Sequence, residues 1–135
     1  MVAYSFNARF EMPILTLRKT GTIRAPGLRR HARPDERLQL YTGMRTRSCR
    51  LLATAACAAV DRLRIWFDQP RLILGEPCSS VPLDQINNCA DFDEFARGDG
   101  FSDFDDMARF WWDMHQARSF DGVWIRWSPQ SVVPG

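Results

Sequence analysis

The sequence predicts an α+β domain: a small, mixed, mostly β barrel with two or three helices packed against it. Strand-like patterns at both ends of the chain, further strand-like runs through its middle, and short acidic helical inserts in its second half carry that prediction. A chain of 135 residues, 45% hydrophobic and 25% charged, can bury one core and has the composition of a soluble globular protein. It reads as a single domain over residues 1–128 followed by a flexible tail over 129–135.

The opening VAYSF, residues 2–6, alternates small or polar with apolar residues, as a short strand does. Phe10, Ile14 and Leu17 then recur at helical spacing, which predicts one to two helical turns with Pro13 near their start. TGTIR is short and β-branched, a strand beginning at or after Gly21. APGLRRHARPDE has no periodicity, carries two prolines and a glycine, and predicts a basic exposed loop. After the Pro34-Asp35 turn signal, RLQLYTG alternates as a strand.

From Cys49 to Phe67 the apolar run is nearly continuous. Its alanines favour helix while the LRIWF end alternates, and the run reads as two strands or one long bent strand. RLILGE, residues 71–76, is a further strand. Asp91 can cap a short helix through Ala96 that the Gly98-Asp99-Gly100 break ends. Ser102 with Asp105 resembles a capping box for a helix to about His115, whose Phe104, Met107, Phe110, Trp111 and Met114 form one apolar stripe read as core. GVWIRWS, residues 122–128, is a last strand, and PQSVVPG reads as loose.

No apolar run approaches the ~20 residues of a membrane helix, and the N-terminus lacks the basic and apolar regions of a signal peptide, so a cytosolic (cytoplasmic) location is expected. Cys49, Cys57, Cys78 and Cys89 form no CxxC pair, and His31 and His115 lie far apart. Buried free thiols are expected, and no metal site. The net charge of +2 conceals an asymmetry: residues 1–67 carry +9 and residues 68–135 carry −7. Ten of the eighteen cations lie between Arg18 and Arg50. Presented on one surface, they would suit phosphate backbones, with Arg29, Arg30, Arg33, Arg45, Arg47 and Arg50 as the grip and His31 among them. Paired with the acidic half, they would lose much of that field.

Lys19 is the only lysine among eighteen basic side chains. Arginine stays charged in any protein setting, whereas burial or a neighbouring cation can bring a lysine toward its neutral amine and make it a base. Chance survival in an arginine-rich composition explains it equally well. In a regular strand Thr22 and Arg24 share a face and Lys19 points to the other, so Lys19 must precede the strand or lie across a distortion, for which Gly21 would supply the freedom.

KTGTIR after a short helix, a basic connector, RLQLYTG, the A-x-x-D-G-F segment ending in Asp99-Gly100-Phe101, an aromatic-rich helix and a terminal strand together resemble the ASCH domain of the PUA-like superfamily, over about Val2 to Trp127. The most specific part is the superfamily's G-x-K-x-x-E-x-R motif, matched by Lys19 and Arg24, with Leu17 in place of the glycine and Thr22 in place of the glutamate. The reading K-T-x-T-I-R resembles the subset of small amidohydrolases that deacetylate N4-acetylcytidine. That resemblance implies a pseudo-barrel with a cleft beside the motif, Lys19 and Thr22 as catalytic residues, and Asp99 in the position of a glutamate. It implies RNA or a modified nucleoside as partner, with Arg24 or Tyr41 as substrate contacts, and no metal or cofactor. Rival expectations are a non-catalytic RNA-binding module, a ribonuclease using Lys19 with Tyr41 or His31, and a protein-interaction domain.

Overall fold

A computed structural model describes residues 1–27, 30–74, 81–82 and 89–135. Among these residues eight strands and three helices follow in order: β1 (Val2–Phe6), α1 (Glu11–Leu15, entered through a 3₁₀ turn at Ala8–Phe10), β2 (Gly21–Arg24), β3 (Arg37–Thr42), β4 (Arg50–Trp66), β5 (Arg71–Leu74), β6 (Val81–Pro82), α2 (Cys89–Gly98), α3 (Phe104–His115), β7 (Ser119–Trp127) and β8 (Val133–Pro134). The fold is α+β, with a mixed sheet: β1 runs parallel to β3, and the other pairings are antiparallel.

The apolar run is one long bent strand. The first half of β4 pairs with β3, from Arg50 opposite Thr42 to Ala56 opposite Arg37. Its second half pairs with β7, from Cys57 opposite Trp127 to Trp66 opposite Ser119. The register shifts between Cys57 and Ala59, where the strand changes partner. Such a bulge bends a strand and increases its twist, which carries one sheet round a corner. Ala53, Ala55, Cys57, Leu63 and Ile65 are buried at alternating positions, so pairing on both edges overrides the helical preference of alanine.

The sheet is not closed into a barrel. From β4 it extends through β3 to β1 in one direction and through β7 to β2 in the other, and no backbone ladder joins β1 to β2. A side chain spans this seam: Arg24 Nη2 donates to the Ser5 carbonyl oxygen at 2.6 Å. The sequence signals strands individually, whereas closure depends on whether the last edge can meet the first.

The closing residues, expected to be loose, are tied to β4. β8 pairs with Ala53 and Thr54, Ser131 Oγ accepts from the Ala56 amide at 2.8 Å, and the Gly135 amide donates to Leu52 O at 2.8 Å. Helix α2 is already under way at Cys89, so Asp91 lies in its first turn and is not its cap. Helix α3 is capped one residue later than expected: Asp103 accepts from the Asp106 amide at 2.8 Å, while the Asp106 carboxylate accepts from the Ser102 amide at 3.0 Å. Phe104, Met107 and Trp111 of α3 are buried as expected, but Met114 is 55% exposed. Cys57 is a buried free thiol as expected and Cys49 an exposed one, contrary to expectation, while the expectation for Cys78 and for the Cys89 side chain lies outside what the structure describes. No described helix is long and apolar enough to cross a membrane.

Candidate functional site

Lys19 precedes β2, as one of the two sequence alternatives required. Its amide donates to Pro13 O at 2.9 Å, the Thr20 amide donates to Gly98 O at 2.9 Å, and Thr20 O accepts from the Trp127 amide at 2.9 Å. The chain around Lys19 is thereby pinned between α1, the end of α2 and β7. No bulge is needed: β2 pairs with β7 in unbroken register, from Gly21 opposite Arg126 to Arg24 opposite Val123. The role of Gly21 is steric, since a Cβ there would stand 2.9 Å from Trp124 Nε1 and 3.2 Å from the Ile125 carbonyl oxygen.

Lys19 is 2% exposed and Asp99 6%. Lys19 Nζ donates to the Asp99 carbonyl oxygen at 2.6 Å and to its Oδ1 at 3.2 Å. The ammonium also stands 4.7 Å from the centre of the Phe10 ring and 5.5 Å from that of Phe6. Burial lowers the pKa of Lys19, with the Arg24 and Arg9 charges acting in the same direction and the Asp99 carboxylate opposing them. Burial likewise raises that of Asp99, against the attraction of Lys19 and Arg24.

Gly100 makes this contact possible. Its φ is +97°, and a Cβ there would lie 2.9 Å from both Lys19 Cδ and Phe10 Cδ1. A side chain at residue 100 would meet both backbone strain and a lysine stem.

Thr22, also buried, accepts from Arg24 Nε at 3.0 Å. The Arg24 guanidinium lies over the rings of Tyr4 and Phe6, at 5.3 Å and 4.9 Å, and burial lowers its pKa. Lys19, Thr22, Arg24 and Asp99 all line one cleft of about 360 Å³, which lies along the unpaired edges of β1 and β2. Phe6, Phe10, Phe101, Phe110, Trp111 and Phe120 wall it, with Ser5, Asn7, Met114 and His115 also contributing. The sequence reading missed these walls; the α3 stripe was their signal, because part of a stripe read as core faces the cleft.

Other expected contacts lie elsewhere. Tyr41, on β3, and His31 do not line the cleft. His31 is stacked on Tyr4 at 6.0 Å between ring centres. Its Nε2 donates to Ala25 O at 2.9 Å, leaving Nδ1, 3.0 Å from the Tyr4 hydroxyl, to accept in the neutral ring. His31 therefore anchors the basic loop. Arg30 makes two bonds to Glu36, at 2.8 Å and 2.6 Å, and Arg50 two to Glu11, at 2.7 Å and 2.8 Å, so internal carboxylates neutralise part of the basic segment. Arg33, Arg45 and Arg47 are exposed and enter no ion pair among the described residues, while Arg29 lies outside them. No group of three or more His, Cys, Asp or Glu among the described residues could hold a metal ion.

No family model, curated protein or solved structure matches the chain.

Proposed function

We propose that the chain is a hydrolase of the PUA-like ASCH type that cleaves the exocyclic amide of an acylated cytosine-like base. The observation that carries this reading is the buried Lys19–Asp99 pair in an aromatic-walled cleft that Thr22 also lines. Strongly perturbed ionisable groups in a cleft are characteristic of functional sites.

Thr22 Oγ attacks the acyl carbonyl carbon, and the free amine of Lys19 takes the hydroxyl proton. Arg24, donating to that oxygen, steadies the charge that develops on it. The resulting Lys19 ammonium is held by both acceptors of Asp99 and protonates the departing exocyclic nitrogen as the carbon–nitrogen bond breaks. An acyl ester on Thr22 remains. Water, deprotonated by Lys19, hydrolyses that ester to release the carboxylic acid and restore the hydroxyl.

The aromatic walls suit a planar base, to which stacking contributes roughly 1–3 kcal/mol. The ribonuclease reading is less well supported, since Tyr41 and His31 lie away from Lys19's cleft.

Incubation with N4-acetylcytidine should release cytidine and acetate, followed by chromatography. Lys19→Met should lower turnover by ~10²–10⁴, the usual worth of a positioned proton acceptor. Full activity in that variant, or in Thr22→Val, would remove the proposed chemistry.

A further inference from the structure

Two cations and one carboxylate line the cleft, and this imbalance names a ligand. Among the described residues Lys19 is paired with Asp99, the only acidic residue lining the cleft, whereas Arg24 enters no ion pair and feels the Asp99 charge only at longer range. The Arg24 guanidinium is held by neutral acceptors, Nε by Thr22 Oγ and Nη2 by Ser5 O, and rests on two aromatic faces. Among the described residues its Nη1 makes no hydrogen bond. A partly buried guanidinium whose hydrogen-bond partners are all neutral favours a ligand that brings negative charge. Its planar fork matches the two oxygens of a carboxylate, and Phe101, Phe110, Trp111, Met114 and Phe120 provide an apolar lining for the remainder of the ligand.

We propose that the cleft is a binding site for apolar monocarboxylates, with the carboxylate on Arg24 and an aryl or branched alkyl group against the α3 aromatic wall. The inference rests on the cleft of the proposed hydrolase and names the acid that such an enzyme would release, so the product of a bulky acyl amide would be retained and would inhibit competitively. Binding itself requires no turnover.

The experiment is calorimetric titration of the full chain with benzoate, benzamide and acetate. Benzoate should bind roughly ten-fold or more tightly than benzamide, its neutral counterpart, because a hydrogen bond to a charged group is worth about 1.5–3 kcal/mol. It should likewise exceed acetate, which lacks the apolar body. Equal binding of benzoate and benzamide, equal binding of acetate and benzoate, or no binding of benzoate would each overturn the proposal. Arg24→Gln should abolish the preference for benzoate over benzamide, but Arg24 also bridges β1 and β2. A second pair of variants is therefore needed at exposed Met114. Met114→Glu should weaken benzoate binding by several-fold through charge repulsion, while Met114→Gln should not; equal affinity in the two would count against a cleft-bound anion. Benzoate binding without N4-acetylcytidine hydrolysis would refute the hydrolase and leave this site standing, and hydrolysis without benzoate binding would do the reverse.

Discussion

Lys19 shows at the scale of one residue why arginine, which serves everywhere else in this chain, would not serve here. Its stem passes so close to residue 100 that only a glycine fits beside it, and a guanidinium could not shed its proton in that setting. Burial favours the neutral amine, so the base form accumulates as pH rises through a value below the ordinary lysine value. The kcat of N4-acetylcytidine hydrolysis should accordingly rise with pH and level off before ordinary lysine titration; a rate still climbing beyond that range would exclude Lys19 as the base. Gly100→Ala should cost about 1–3 kcal/mol of stability through its left-handed backbone, with a larger fractional loss of turnover because the new methyl displaces the lysine stem. Denaturant unfolding and initial rates measured on the same preparation test both halves.

At the scale of elements, the turn between α1 and β2 sets where Lys19 emerges. Leu17 adopts φ 65° there and is 45% exposed, a conformation that costs a residue with a Cβ about 1–2 kcal/mol. A glycine, having no Cβ, would adopt that conformation without the penalty. Leu17→Gly should stabilise the fold by up to about 1 kcal/mol, offset in part by the greater freedom of glycine in the unfolded chain. An unchanged or lowered denaturation midpoint would contradict this. The basic loop is likewise fastened at one end by Arg30 on Glu36, whose carboxyl is held at about 2 by Arg30, the Arg33 amide and the N-terminal amine. A depressed carboxyl contributes stability above its ordinary value and loses it as pH falls toward about 2, so the loop should detach across that interval in amide exchange, and Glu36→Gln should abolish the transition.

At the scale of the whole molecule, the charge asymmetry is partly spent inside the protein. Of eight ion pairs among the described residues, five join the basic half to the acidic half, including Arg9 to Asp106 and Arg64 to Asp121. Arg30 and Arg50 are clamped by Glu36 and Glu11 of the basic half itself, while Arg33, Arg45 and Arg47 are exposed and enter no ion pair among the described residues. If the acylated base is carried on single-stranded RNA, three phosphate contacts predict log affinity falling against log salt with a slope of about −2. A slope near zero would remove RNA and leave the free nucleoside.

Read along the chain, VAYSF and RLQLYT alternate with period two and GTIR is short and β-branched, and the sequence by itself determined those strands, the α3 stripe and the singular lysine, because each is a local pattern. Helix caps were misjudged by a residue or more, since a cap is chosen by which carboxylate reaches an amide. The open seam, the bend of β4 at Cys57–Ala59 and the pairing of the C-terminal residues were decided by tertiary structure, as were the neutral hydrogen-bond partners of Arg24 and the placement of Tyr41 and His31 away from the cleft. The reason is distance along the chain: Lys19 and Asp99 are eighty residues apart, and only the docking of the Lys19–Thr20 segment onto α1, the end of α2 and β7 brings the amine onto its carboxylate.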